Sequence, residues 1–377
     1  MPIVEIFKSR SLRMVGVLLL LWLGLGLHPE TREAFLTATN FSNLTAQIAE
    51  IVIVGVGMTL VILIGGIDLS VGAGIALTGV VAAKLQLDHH APAWVACLGA
   101  LGTAGVIGLW HGLLVTKGGM PPFVATLGGF LAYRGLGLVL SGARGLSPMA
   151  ADFQRLGGRL PAGLSTAICV GGGVVGVALV LLRQRRRRAL ALPTDPLART
   201  VLALVAIAVV TAFAAIIYQD GMPVPVLLAA ACVAVGAILL RRTLLGRYAF
   251  AIGGNAEAAR LSGVPVMATT VLIYVFSGLL VALAGIVAAA RTNGVTPGNA
   301  GLMRELHVIT AVVIGGTSLS GGRATMIGTV VGALVFGTLS NGMNLMDVNS
   351  NWQLIFTGAI LVGASLVDSL TNKKRAS

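Results

Sequence analysis

Long apolar blocks separated by short polar or basic segments are the dominant pattern along the chain. The blocks run for about 16–24 residues, which is the length that a helix needs to cross roughly 30 Å of hydrocarbon. Because lipid offers the backbone no hydrogen-bond partners, a spanning segment must bond internally, as a helix does. The pattern therefore predicts an all-α, polytopic transmembrane helical bundle.

Twelve blocks are candidate spans, some of marginal length, so we expect a bundle of 10–12 spans. The blocks are 14–28, 46–66, 70–87, 93–115, 121–140, 162–182, 200–218, 224–240, 269–290, 306–320, 323–341 and 353–370. Residues 1–377 then form a single transmembrane domain with two longer cytoplasmic loops, 183–199 and 241–268. No small-residue cleavage site follows the first block, so we interpret it as a retained signal-anchor.

Composition and charge support a membrane protein. Hydrophobic residues make up 56% of the chain and charged residues 10%, whereas soluble domains are about a quarter charged. The net charge of +13 comes from basic residues between the blocks, so the membrane surface is a better partner than nucleic acid. With a cytoplasmic amino terminus, most Lys and Arg residues fall on the cytoplasmic side. This bias predicts that both termini are cytoplasmic and that Arg183 to Arg188 anchor the topology.

The cysteines give no sign of a disulfide framework or a zinc site. Cys97, Cys169 and Cys232 stand singly inside apolar blocks, without CxxC spacing or paired histidines nearby. We expect small buried hydrophobic residues at these positions and no metal.

A short pattern, IGGxxLSxG, occurs twice, beginning at Ile64 and at Ile314. Each copy joins two apolar blocks, so each predicts a break where one helix ends and the next begins. Matching glycine-interrupted segments in two halves of a chain are typical of transport pathways. The glycines expected to shape the breaks are Gly65, Gly66, Gly72, Gly315, Gly316 and Gly322.

Several polar residues are candidates for the translocation pathway: Asp68, Ser70, Arg134, Ser318, Ser320, Asn341 and Asn344. An uncompensated acid at a helix centre in lipid costs roughly 2.5–3.5 kcal/mol, so Asp68 either borders a polar pathway or caps the helix near Ser70. Arg134 either lines the pathway, pairs with a carboxylate not identified in the sequence, or snorkels outward. Helix-end capping is the alternative for Asn341 and Asn344. Glu305 and His307 are expected at the boundary of a short half-span.

The segment from Arg241 to Met267 predicts a small cytoplasmic helix. Asn255 can cap it, Glu257 favours the positive helix start, and Gly263 with Pro265 supplies a stop. Such a helix could fit a groove on a partner protein; the alternative is a surface helix without a partner.

Glu257-Ala258-Ala259 followed by Gly263 resembles the EAA-xxx-G signature of importer permeases that dock on ABC ATPases. The segments MTLVILIGGIDLSVG, GRYAFAIGGNAEAARLSGV, VVIGGTSLSGG and GTVVGALVFGTLSNGMNLMDV, between residues 57 and 347, resemble the ribose/xylose/arabinose/galactoside permease family of ABC importers. The extra segment at roughly 183–218 and the ending at 341–348 resemble the xylose type within that family.

The resemblance implies a type II ABC importer-like permease in the cell inner membrane, carrying a monosaccharide inward. D-xylose is the expected sugar, and ribose, arabinose or another small sugar is the alternative. The implied partners are a sugar ATPase, a periplasmic binding protein and a second permease copy. The ATPase-coupling residues would be Asn255, Glu257, Ala258, Ala259, Arg260 and Gly263. No GxxxxGK[ST] motif occurs, so the partner binds ATP and this chain needs no cofactor.

Two other functions compete with this interpretation. An ion-coupled secondary sugar transporter needs an ionisable site in the membrane, for which Asp68 and Arg134 are the candidates, but it gives the docking segment no role. A membrane enzyme such as a lipid-linked transferase needs clustered carboxylates, and the 13 acidic residues are scattered along the sequence. We therefore expect a transport subunit and not an enzyme.

Overall fold

The computed structural model describes residues 10–193 and 196–376, and the side chains of residues 14–193 and 196–366. Part of the single domain 1–377, and residues 194 and 195 of the predicted segment 183–199, lie outside the described residues. Within the described residues the fold is all-helical. The β-type pairing there consists of two isolated bridges, one between Leu146 and Val295 and one between Arg159 and Pro223.

The described helices follow one another with short connections. They are α1 Arg10–Leu27, α2 Arg32–Phe35, α3 Ala38–Leu63, α4 Val71–Leu87, α5 Ala93–Thr116, α6 Pro122–Ser141, α7 Ala151–Gln154, α8 Ala162–Ala189, α9 Leu197–Ile217, α10 Val224–Arg242, α11 Leu244–Gly254, α12 Ala256–Leu261, α13 Val266–Arg291, α14 Arg304–Ile314, α15 Met326–Leu345 and α16 Ser350–Ala376.

Each of the twelve predicted spans overlaps one of these helices. In the described ranges, eight helices are long and apolar enough to cross a membrane: α3, α5, α6, α8, α9, α10, α13 and α15. Helices α1 and α4 are shorter apolar helices. The span predicted at 306–320 is too long, because α14 has 11 residues and ends at Ile314 before the paired glycines. The polytopic helical prediction is confirmed.

The prediction of a loop at 183–199 is wrong for its first part, because the basic run Arg183 to Arg188 is helical. It forms the last turns of α8, which ends at Ala189. Arginine is a good helix former, and cations near a helix carboxyl end interact favourably with its dipole.

Helix α3 is the centre of the bundle, and most of its residues are buried. Helices α10, α13, α14 and α15 pack against it. Helix α5 approaches α13 closely through Gly108, where a methyl group would lie 2.7 Å from the Val275 Cα, and through Gly112, beside Val271. Small residues permit this close backbone packing between membrane helices.

The bundle has two ends. The break end holds both glycine breaks, which are joined by a hydrogen bond of 3.0 Å from the Gly322 amide to the Leu63 carbonyl. The segment 242–265 lies at the same end, because its residue Gly253 packs against Leu63 and Gly322. The far end holds the start of α3 and the end of α15, where Asn40 and Asn341 exchange hydrogen bonds of 3.1 and 2.9 Å.

The first and last helices share this geometry. Helix α1 runs parallel to α15, with the Trp22 indole donating to the Thr338 hydroxyl at 3.1 Å. Helix α16 begins at the far end, where Gln353 donates to Asn344 at 2.8 Å, and its residues Ile360 and Ala364 pack near Ile314. Both ends of the described chain therefore lie at the break end.

Candidate functional site

Both repeated motifs end a helix in the same way. After α3, Gly65 has a φ of +82°, its amide donates to the Ile62 carbonyl, and the Gly66 amide donates to the Val61 carbonyl, each at 2.9 Å. After α14, Gly316 has a φ of +98°, and the same two bonds recur at 2.9 and 3.2 Å. Left-handed backbone at this position favours glycine and satisfies the last helix carbonyls. Both helices thus end at the paired glycines, with the left-handed residue at the first glycine of the pair in one copy and at the second in the other.

The two copies differ after the break. The first returns to helix at Val71, so Gly72 lies in the first turn of α4 and not in the break itself. There it meets Glu305 and the Gly301 carbonyl, and a methyl group on its Cα would overlap both. The second copy stays irregular until Met326, and Gly322 has a φ of +74°. Gly72 is therefore a packing glycine, whereas Gly322 belongs to a loop.

Asp68 is 5% exposed and lies two residues before Ser70, the N-cap residue of α4. Its Oδ1 accepts the Ser70 amide at 2.9 Å and the Ser70 hydroxyl at 2.6 Å. This is an Asx turn onto the N-cap residue and not the expected cap on the first amides of α4, and its two hydrogen bonds partly compensate the buried carboxylate. Thr126 of α6 ties the same break from the side, because its hydroxyl donates to the Ile67 carbonyl at 3.0 Å and accepts the Leu69 amide at 3.1 Å.

A buried polar cluster adjoins Asp68. His111, Tyr133 and Tyr274 are 1%, 7% and 1% exposed, and all three interact electrostatically with the Asp68 carboxylate. The Tyr133 hydroxyl lies 3.0 Å from His111 Nε2. Among the described residues, His111 Nδ1 and the Tyr274 hydroxyl have no hydrogen-bond partner. The sequence analysis missed this cluster, although a histidine inside an apolar block was a usable signal.

Arg134 is paired inside the bundle. Its Nη1 donates to the carbonyls of Pro297 and Ala300 at 2.6 and 2.8 Å, and it interacts electrostatically with Glu305. Glu305 lies in the first turn of the short helix α14, at the boundary where it was expected, and it is buried there, with 8% exposed. Within the described part of the chain, Arg134 Nη2 and Glu305 Oε2 lack hydrogen-bond partners. Arg134 thus holds the loop 292–303 against the bundle, a role that spacing along the sequence could not reveal.

A cavity of about 430 Å³ opens at the far end between α3, α4, α13 and the loop 292–303. Glu50 lies in its wall, with a side chain only 5% exposed. One Glu50 oxygen is 2.6 Å from Arg291 Nη1, and the other is 3.2 Å from Arg304 Nη2. The sequence analysis overlooked Glu50, even though an acid within the block 46–66 is a candidate functional residue by its position alone.

The remaining pathway candidates are not gathered in one place. Ser318 is fully buried at the break end, with its hydroxyl 2.9 Å from that of Ser320. Asn341 lies at the far end in its amide pair with Asn40. Asn344 accepts from Gln353 and so ties α15 to α16. Their place in a translocation pathway stays a prediction.

The predicted helix in segment 241–268 is α12, preceded by a second helix, α11. The Asn255 side chain caps α12 by accepting the Ala258 amide at 2.9 Å. Gly263, with a φ of +82°, ends it, as the Val264 amide donates to the Ala259 carbonyl at 3.0 Å. The predicted cap and stop are both confirmed.

Helix α12 presents its polar side to solvent. Arg260 donates to both Glu257 oxygens, at 2.6 and 3.0 Å, and this bonding lowers the pKa of the Glu257 carboxyl. Leu261 is 75% exposed, whereas Ala259 is buried. Helix α12 is therefore an exposed, charged helix with an apolar residue on its open side, as a docking element requires.

A multi-pass helical bundle with two paired internal breaks and an exposed helix between spans belongs to the class of membrane transport permeases. Residues 40–365 match the family described as "Branched-chain amino acid transport system / permease component". The chain belongs to this family and is a transport subunit of a membrane system. The family resemblance in its sequence is confirmed.

Individual relatives match over almost the whole chain. The xylose transport system permease protein XylH of Haemophilus influenzae is 37% identical over 347 residues, covering 91% of this chain and 92% of the relative. XylH of Escherichia coli K12 is 39% identical over 348 residues, covering 91% and 88%. The ribose import permease protein RbsC of the same strain is 36% identical over 341 residues, covering 90% and 88%. No solved structure matches the chain.

Proposed function

We propose that this chain is the membrane-spanning permease of an ATP-driven importer for a monosaccharide, with D-xylose as the first candidate. The observation that carries the proposal is the 37–39% identity to xylose permease proteins across 91% of the chain. Ribose is the second candidate, because a ribose permease is 36% identical over a similar length.

The protein would lie in the inner membrane, with its break end facing the cytoplasm. Lys117, Arg241, Arg242 and Arg323 lie at that end, and cytoplasmic loops carry an excess of Lys and Arg. In this orientation both ends of the described chain are cytoplasmic, and the cavity lined by Glu50 opens toward the periplasm. A periplasmic binding protein would deliver sugar there.

A separate ATPase would supply the energy by docking on α12. The chain contains no GxxxxGK[ST] motif, so it cannot cradle ATP phosphates as P-loop proteins do. The exposed face of α12 offers the charged pair of Glu257 and Arg260 and an apolar contact through Leu261, which together suit a groove on the ATPase. Two permease copies would share one ATPase assembly, whose closure moves both docking helices.

The test uses the assembled system purified from native membranes with its associated ATPase and binding protein. In proteoliposomes, we expect ATP to drive D-xylose accumulation and xylose to stimulate ATP turnover more than ribose or leucine does. Stimulation by leucine alone would favour the amino acid transport named in the family description. Accumulation driven by an ion gradient without the ATPase would instead support a secondary transporter.

Variants of the docking helix test the coupling role. Glu257→Ala and Gly263→Ala should lower xylose uptake per ATP hydrolysed while leaving membrane insertion intact. Unchanged uptake in both variants would count against docking through α12.

A further inference from the structure

We propose that Gly253 is the positioning residue through which the docking helix α12 acts on both glycine breaks. The inference rests on the proposed function, because it assumes that α12 is moved by an ATPase. It assigns a role to a residue of α11 that lies in neither break and outside the docking helix itself.

Three backbone segments meet at Gly253. Its Cα faces the Leu63 carbonyl, at the end of α3, and the Gly322 amide, in the second break. A methyl group on this Cα would overlap the Leu63 oxygen and lie 2.5 Å from the Gly322 nitrogen. Only glycine permits this approach, because the obstructing atoms are backbone and cannot rotate away.

The same two atoms are bonded to each other. The Gly322 amide donates to the Leu63 carbonyl at 3.0 Å, so the hydrogen bond that joins the two breaks lies directly against α11. Gly321 is also in this junction. A methyl group added to its Cα would lie 3.0 Å from the Gly253 oxygen and 3.2 Å from the Gly65 nitrogen. A displacement of α11 would therefore act on the first and second breaks at the same point.

Helix α12 is tightly connected to this junction. Only Asn255 separates α11 from α12. Its amide donates to the Ala251 carbonyl of α11 at 3.1 Å, and its side chain caps α12. A residue bonded into both helices fixes the angle between them, so α12 cannot move far without shifting the end of α11.

The neighbouring Gly254 supplies a matched control. It is the last residue of the same helix, but a methyl group on its Cα would meet no atom within 4 Å. Gly253→Ala and Gly254→Ala therefore make the same chemical change and the same change in helix propensity, one residue apart. They differ in whether the new methyl group enters the junction.

The experiment compares these variants in the complete transporter in proteoliposomes, measuring sugar uptake and ATP hydrolysis together. We expect Gly253→Ala to raise the ATP consumed per sugar at least tenfold while the ATPase stays bound. Gly254→Ala should stay within twofold of the unmodified protein. Equal ratios for both variants, or equal losses, would overturn the inference. Absence of ATP-driven uptake in the unmodified transporter would instead contradict the proposed function.

A second measurement starts from the unmodified transporter and does not depend on the folding of Gly253→Ala. Hydrogen exchange in the unmodified transporter should change in segments 60–67 and 315–325 together when ATP is added. Glu257→Ala should abolish both changes. If transport proceeds while either segment keeps its exchange rate, α11 does not act on both breaks and the inference is wrong.

Discussion

Glu50 supplies the sharpest test of the electrostatics at the far end of the bundle. Its carboxylate joins α3 to Arg291 at the end of α13 and to Arg304 at the start of α14. Glu50→Gln keeps the size of the side chain but removes its charge, which leaves two arginines facing a neutral amide. The variant therefore tests whether this carboxylate holds three elements together.

The magnitude follows from burial. Removing one partner of a buried ion pair costs about 3–5 kcal/mol, and water reaches the arginine side chains, which are 27% and 30% exposed. We therefore take the lower limit, roughly 3 kcal/mol. An unfolding entropy of about 2.1 cal/mol/K per residue converts this loss into a fall in Tm on the order of 4 °C.

A thiol-reactive fluorogenic dye can measure the change, because Cys169 and Cys232 are buried and should become reactive on unfolding. The scan rate must be held fixed, since unfolding of such proteins is commonly irreversible. Glu33→Gln is the control, because Glu33 is 88% exposed and lies 3.9 Å from Arg32. Exposed pairs of this kind contribute little, so its Tm should not move measurably. Equal shifts for the two variants would refute the assignment.

Three further changes test individual contacts. Arg134→Gln should release the loop 292–303 by about 2 kcal/mol, because bonds from a charged donor are lost; faster hydrogen exchange in that loop would show it, and an unchanged rate would refute it. Thr126→Val should lower the Tm through a loss of about 1–3 kcal/mol, and Thr126→Ser should restore most of it. Asn255→Ala should remove about 1 kcal/mol from α12, seen as faster exchange of the Ala258 amide, whereas Asn255→Ser should retain slow exchange.

Features set by local rules were predictable from the sequence. The two breaks follow from paired glycines after an apolar block, and the limits of α12 follow from Asn255 and Gly263. Each depends on residues within one turn of the helix end, where the orphan amides and carbonyls must be satisfied. The structure reproduces these features because their causes are local.

Pairings between distant segments were not predictable in this way. Arg134 bonds to carbonyls 163 and 166 residues away, and Glu50 pairs with Arg291 across 241 residues. A charge inside an apolar block shows that compensation is needed, but its partner depends on which helices become neighbours. The sequence analysis therefore left pathway lining, pairing with a carboxylate and snorkelling open for Arg134, and it could not name the carbonyls that accept its hydrogen bonds.

The two breaks share one sequence pattern but have different surroundings. The first carries Asp68 beside His111 and Tyr133, so a displacement of this break moves a charge within a buried polar cluster. The second carries no acid and places Gly322 against α11. Because the Gly322 amide bonds to the Leu63 carbonyl and both atoms lie against Gly253, α11 contacts both breaks at the same point. A repeat that kept an aspartate in both copies would bury a second carboxylate at this end, with a further desolvation penalty.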